Sequence, residues 1–298
     1  MIIKEELHQS SKTLAARSIE DAPLEAELLL MHLLGIDRAK LYARLEDELS
    51  PGDAQAFAHL INRRLWGEPI AYIIGHREFF GHDFHVAPGV LIPRPESELL
   101  VEEALDFVFS NFSRSSKVLT DEKSSTPEEV EKIAEIGTGS GAIAISLALL
   151  LPKANIYATD ICPRALEIAA INREKHGVIN QVYLLEGDLL APLPEPVDLI
   201  LANLPYIKDE DLRELSAEVR MFEPMVALAG GGDGLDKVRQ LLEGVGEKLR
   251  PGGLLLLEIG AGQGQAAASL VKSLYPGARV ELAQDLSGRE RVMRVMLT

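Results

Sequence analysis

The chain of 298 residues holds a single cysteine, Cys162. One thiol can form neither an internal disulfide nor a thiolate metal cluster, so the reducing cytoplasm is the expected compartment. Basic residues are also short: 30 Lys and Arg face 46 Asp and Glu, for a formal net charge of -16. That balance opposes loose association with nucleic acid or an anionic membrane surface, and any nucleic-acid role would need a local basic patch. Long apolar runs are missing too. The longest, Ala142 to Leu151, is ended by Pro152; it is too short to span a bilayer and reads as a buried helix. The opening MIIKEELHQS lacks the basic flank, apolar stretch and small-residue cleavage site of a secretory signal. What remains is ordinary globular composition, 47% hydrophobic and 26% charged, which sets aside disordered, collagenous and disulfide-scaffold classes. The length suggests two domains at about 150 residues each.

The pattern changes along the chain. Residues 1–75 read as a small helical domain of four or so helices. Asp21 and Pro23 open one helix with Leu24, Leu28, Met31 and Leu34 on a face; Ser50, Pro51 and Asp53 open another carrying Phe57, Leu60, Ile61 and Leu65. Residues 76–93 read as a β-hairpin linker, with short extended runs in and beside it, AYIIG, REFFGHDFHV and GVLIP, punctuated by Gly, Pro and aromatic residues. Residues 94–298 begin with a helix through Leu99, Leu105 and Phe109, then turn polar over 111–129, which reads as a loop. Apolar runs then alternate with helical stretches, the signature of a doubly wound α/β, Rossmann-like domain. The final ARVELAQDLSGRERVMRVMLT reads as two strands turning at Ser287 and Gly288, which would make the far sheet edge antiparallel.

Glu135-Ile-Gly-Thr-Gly-Ser-Gly141 follows an apolar strand and opens a helix. Gly137, Gly139 and Gly141 permit a sharp turn and a close ligand approach at a helix N-terminus, with Thr138 and Ser140 between them. The next strand ends at Asp160, placed to take the hydroxyls of a ribose. An adenosine-containing cofactor fits this context, although the loop with Ala142 also satisfies the dinucleotide pattern and leaves NAD open. Glu258-Ile-Gly-Ala-Gly-Gln-Gly264 repeats the spacing, with Asp285 following. Lying near the chain end, it reads as a structural turn.

Asn203-Leu-Pro-Tyr206 follows the apolar run VDLILA, at the carboxyl end of a strand, where open α/β sheets bind ligands. The Asn203 amide oxygen and the Leu204 carbonyl can accept both hydrogens of a planar NH2 group while Tyr206 stacks on its face. Pro205 biases Leu204 to an extended backbone. Such a nitrogen is a poor nucleophile, so orientation and desolvation must supply much of the barrier reduction. Combined with the glycine loop and Asp160, the tetrapeptide points to methyl transfer from S-adenosylmethionine. A hydride-transfer enzyme would need a proton relay that the sequence does not offer.

The stretch GEPIAYIIGHREFFGHDFHVAPGVLIPRPESELLVEEAL, with EIGTGSGAIAISLA, ANLPYI, EPMVALAGGGDGL and GGLLLLEIG, resembles the peptide chain release factor glutamine methyltransferases over nearly the whole chain. That resemblance implies S-adenosylmethionine as cofactor and, as substrate, the glutamine of the Gly-Gly-Gln motif in class 1 release factors, with the helical domain docking that protein. It implies cofactor contacts at Glu135, Gly137 to Gly141, Asp160, Asp188, Leu189 and Asn203. Phe79, Arg94 and Asn203 to Tyr206 would hold the glutamine. Two positions depart from the family: Leu204 replaces a proline and Ser97 a threonine. The Asn-Leu-Pro-Tyr form resembles ribosomal RNA adenine dimethyltransferases, so an adenine-N6 methyltransferase acting on RNA or DNA is the main rival. A non-catalytic release-factor-binding protein is the second.

Other features have plainer readings. Phe80 reads as hairpin core, and Arg94 as a partner of Glu96 or Glu98 or of substrate backbone. His82 and His85 fall on opposite strand faces, so no metal is expected. Cys162 has no activating base. The glycines of ALAGGGDG permit a loop beside the cofactor cleft, since no Lys-Ser or Lys-Thr follows to make a P-loop. The expected state is a cytoplasmic monomer with no stable nucleic acid or membrane partner.

Overall fold

The computed structural model describes residues 2–115 and 132–297. The chain divides into two units: Met1–His76 with Val86–Pro88 and Leu215–Glu223, and Arg77–His85 with Gly89–Glu214 and Pro224–Thr298.

The first unit is built on α1 (Ile3–Ala15), α2 (Ala22–Leu34), α3 (Arg38–Ala43), α4 (Pro51–Leu65) and α5 (Ile70–Ile74). Ser50 caps α4 as its sequence indicates, its Oγ accepting from the Asp53 N–H at 3.1 Å, and Phe57 and Ile61 face the core. On α2 the buried face is Ala22, Ala26, Leu29 and Leu30, and Leu24 is 42% exposed. The expected Leu24, Leu28, Met31 and Leu34 stripe is thus corrected in part: Leu24 turns outward, and Met31 and Leu34 pack on the margin of the core. Nearly every position from Leu28 to Leu34 is apolar, so periodicity could not choose a face, and the small alanines decided it. AYIIG is helical rather than extended: Pro69 precedes the turn and Gly75, at φ +80°, closes it in the left-handed region that suits glycine. The short helix Ala217–Phe222, α9 in chain order, joins this unit, with Glu218 pairing with Arg64 at 2.9 Å and Arg64 in turn with Glu25 at 2.6 Å.

The second unit starts with the hairpin, β1 (His76–Phe79) and β2 (His82–His85). Phe80 and Gly81 both have positive φ, the two-residue turn that matches strand twist. GVLIP joins no sheet; its flanking prolines remove ladder donors. α6 (Glu98–Ser115) continues into the stretch read as a loop, whose remainder lies outside the described residues. The chain then runs through β3 (Lys132–Ile136), α7 (Ala142–Leu150), β4 (Asn155–Asp160), α8 (Pro163–Lys175), β5 (Val182–Glu186), β6 (Val197–Ala202), α9 (Ala217–Phe222) of the first unit, α10 (Asp236–Lys248), β7 (Leu249–Glu258), α11 (Gly264–Leu274), β8 (Arg279–Gln284) and β9 (Glu290–Met296).

The sheet order is β5-β4-β3-β6-β7-β9-β8, parallel through β7 and antiparallel at β9 and β8, as the C-terminal pattern indicates. Along β6 and β7, Leu199, Leu201, Leu254 and Leu256 face the core under α6 and α7, and Ile200, Ala202, Leu255 and Leu257 face that under α10. Burial on both faces explains the unbroken apolar runs. The chain leaves β3 toward β4 and β5, then returns to β6 on its other side. This reversal is the switch point where open α/β sheets bind ligands.

Candidate active site

The β3–β6 register pairs Ile136 with Ala202, so the loops beginning at Gly137 and Asn203 leave the sheet side by side. An open cleft lies there, lined by Phe79, Leu91, Pro93, Arg94, Ser97, Glu135, Gly137 to Ser140, Ala142, Ile143 and Asn203.

Gly137, Gly139 and Gly141 all adopt positive φ. Gly139 has open space where a side chain would stand, and its N–H donates to Asp160 Oδ2 at 2.9 Å. Asp160 Oδ1 accepts from the Cys162 N–H at 2.9 Å. Each carboxylate oxygen has a second lone pair for a ligand hydroxyl. Burial raises the Asp160 pKa above the usual carboxylate range. Glu135 is buried beneath the loop, with Oε2 accepting from Thr138 Oγ1 at 2.6 Å and the Ala144 N–H at 3.0 Å. Burial pushes its pKa up to about 8. Gly187 leads from β5 into Asp188, which is exposed, and Leu189, whose φ is +47° and whose carbonyl accepts from Thr159 Oγ1 at 3.1 Å. These two lie beside Asp160 in the sheet order. They are not among the residues lining the cleft.

Phe79 and Phe84 are both fully buried in the hairpin, edge-on at 6.2 Å, and Phe80 is half-buried with its N–H donating to Glu98 Oε1 at 2.9 Å. Phe79 therefore serves both core and cleft wall. Arg94 reaches the cleft, and its charge bears on the Tyr206 hydroxyl.

The Asn203 tetrapeptide divides its tasks. Leu204 is buried in the core under α10, and a Cβ placed on Gly137 would sit 3.6 Å from its side chain. Tyr206 is partly buried; its OH donates to Glu258 Oε1 at 3.3 Å, and burial raises its pKa. Asn203 Nδ2 donates to Ser97 Oγ at 2.9 Å, and Ser97 Oγ donates to Glu258 Oε2 at 2.6 Å. Ser97 and Glu258 were not among the expected site residues. Glu258 carried one available signal, an acid ending the strand next to the one that delivers Asn203; for Ser97 the signal was a hydroxyl kept where the resembling family has threonine.

The second glycine loop packs against this turn. Gln263 Nε2 donates to the Tyr206 carbonyl at 2.9 Å and its Oε1 accepts from the Gly260 N–H at 2.8 Å. Asp285 turns the β8–β9 hairpin, accepting from the Ser287 and Arg289 N–H groups. The ALAGGGDG glycines let backbone meet backbone: a Cβ at Gly230 would lie 2.8 Å from the Pro205 carbonyl oxygen.

Comparison with known proteins gives the family. The "Methyltransferase small domain" model matches residues 104–233 and the "PrmC N-terminal domain" model residues 5–75. The fold of the hMettl16 catalytic domain, solved with a 3'UTR hairpin, is similar at a TM-score of 0.56 and 13% identity, covering 84% of this chain and 83% of that one. Fold and site together define an S-adenosylmethionine-dependent methyltransferase. Release factor glutamine methyltransferase of Moorella thermoacetica is 44% identical over 98% of this chain and 97% of its own length. That of Cereibacter sphaeroides is 41% identical over 95% and 94%. The chain belongs to the release factor glutamine methyltransferase family.

Proposed function

We propose that the enzyme methylates the side-chain amide nitrogen of the glutamine in the Gly-Gly-Gln motif of class 1 release factors, as a monomer in the cytoplasm, with its helical unit docking the protein substrate. The observation that carries this reading is the polarity of Asn203. With Nδ2 committed to Ser97, its Oδ1 is the end left to receive a substrate N–H at the mouth of the glycine loop. The Leu204 carbonyl accepts the second hydrogen, which aims the nitrogen lone pair outward.

S-adenosylmethionine supplies an electrophilic methyl on a sulfonium. The residues present fit it: Gly139 leaves room for close approach, Asp160 keeps acceptor capacity for ribose hydroxyls, and the Glu135 carboxyl braces the loop. Asp188 and Leu189 flank the adenine. Leu91, Pro93 and Ile143 offer apolar walls, and Phe79, Arg94 and Tyr206 contain the glutamine side chain. No covalent enzyme intermediate is required.

Asn-Leu-Pro-Tyr favours the rival, adenine-N6 methylation, because an exocyclic adenine NH2 offers the same two hydrogens. The net charge of -16 weighs against a polyanionic substrate. Mass spectrometry after incubation with labelled cofactor and either release factor or bulk RNA decides: the methyl increment is expected on the release-factor glutamine, and an increment on RNA alone would overturn the proposal. Asn203→Ala is expected to lower turnover by about a hundredfold or more, with cofactor affinity within about twofold; full methylation by that variant refutes the role.

A further inference from the structure

Between Asn203 and Tyr206 on one side and the second glycine loop on the other runs a buried hydrogen-bond chain that the transfer chemistry does not itself use. Asn203 Nδ2 donates to Ser97 Oγ at 2.9 Å, Ser97 Oγ donates to Glu258 Oε2 at 2.6 Å, and Tyr206 OH donates to Glu258 Oε1 at 3.3 Å. Ser97 and Glu258 are 3% and 2% exposed. Glu258 receives a proton from each neighbour and gives none, which is how a carboxylate behaves. Burial raises the Glu258 pKa, and the hydrogen bond from Ser97 and the charge of Arg291, itself buried, oppose that rise.

We propose that Ser97 and Glu258 are positioning residues that fix the flip of the Asn203 carboxamide, a role resting on the proposed function of Asn203. The logic is one of hydrogen-bond direction. A carboxamide can present either end to a hydroxyl, and the two orientations are nearly equal in shape. Ser97 has one proton. Once Glu258 takes it, Ser97 can only accept, so only the NH2 end of Asn203 satisfies it. The oxygen then faces the cleft, where it meets a substrate N–H. A Ser97 free to donate would also tolerate the reversed amide, whose NH2 would confront the substrate NH2, donor against donor. The same carboxylate tethers Tyr206, so one buried group holds the first and last residues of the tetrapeptide. Glu258 reaches them because β7 lies beside β6 with Ala202 opposite Leu257.

The test uses the full chain, S-adenosylmethionine and an intact class 1 release factor, with kcat, KM for release factor, cofactor affinity by calorimetry, and melting temperature. Ser97→Val keeps the branched shape of Ser97→Thr but lacks the hydroxyl. Ser97→Val is expected to lower kcat at least about tenfold with cofactor affinity within about twofold, and Ser97→Thr to restore kcat. Glu258→Gln, which can offer Ser97 either an oxygen or an NH2, is expected to fall between them. Wild-type kcat in Ser97→Val, or equal losses in the Val and Thr variants, would overturn the proposal. If Ser97→Val does not fold, Glu258→Gln decides: unchanged kcat overturns it, and lowered kcat with retained cofactor affinity upholds it. Failure of the underlying reading looks different, because wild-type enzyme would then leave the release factor unmethylated.

Discussion

The chain carries one seven-residue pattern twice, at Glu135–Gly141 and Glu258–Gly264, and the two copies have different surroundings. Both acids lie at or next to the carboxyl end of a buried strand, and both loops enter a helix. In the first copy Glu135 turns inward onto its own helix, at the Ala144 N–H, and the next strand is a parallel neighbour that delivers Asp160 to Gly139. In the second, Glu258 reaches out to Ser97 and Tyr206, and the chain continues into an antiparallel hairpin that consumes Asp285 in its turn. Even the glycines differ: Gly137, Gly139 and Gly141 have positive φ, but of the second set only Gly262 does. A glycine pattern thus acquires its meaning from the strand beside it. Only where the next strand runs parallel does a second acid arrive at the loop.

The acids offer the largest effect with which to break this comparison. Asp160→Ala is expected to weaken S-adenosylmethionine binding by about tenfold or more, since hydrogen bonds to a charged group contribute about 1.5–3 kcal/mol. Asp285→Ala should leave that affinity unchanged and lower only the melting temperature. Calorimetric titration of both variants reads the difference, and equal loss of affinity would mean that the second loop also serves the cofactor.

The glycines sharpen it next. Gly139 at φ +56° and Gly262 at φ +82° both face open space, so alanine at either meets backbone strain alone, about 1–2 kcal/mol. Thermal unfolding should record similar losses, with cofactor affinity falling in Gly139→Ala only.

The smallest effect is in pH. Burial raises Glu135 from 4.5 to about 8, so the unfolded chain ionises first and the free enzyme loses stability as pH rises through that interval, levelling off above it. Asp285 is lowered below its usual 3.8, chiefly by the Arg289 N–H. Its stabilisation is full above the ordinary value and is lost as pH falls through the lower folded one. Melting temperatures should show the first slope vanish in Glu135→Gln and the second in Asp285→Asn; a slope unchanged in either variant would assign it to other groups.

Much of this architecture was legible in the residues. LILA and LLLL declare strands buried on both faces, the Ser50 cap marks a helix start, and the GTGSG loop, Asp160 and Asn203 mark the ligand end of the sheet. The less legible parts have separate causes. The buried face of α2 could not be read because the helix is apolar nearly all round. AYIIG hid a helical turn because five apolar residues between Pro and Gly suit either state. Ser97 and Glu258 lie far apart in the chain from each other and from Asn203, and hydrogen-bond direction has no signature in spacing.

Local chemistry therefore determined the strands, the glycine turns and the turn from Asn203 to Tyr206, because backbone conformation and side-chain alternation are settled within a few residues. Only the tertiary structure decided which of two equivalent loops, one on either side of Asn203, is met by a second acid, and which end of that asparagine bonds Ser97. Those depend on strand order and on where a single serine proton goes, both of which require partners brought together by the sheet.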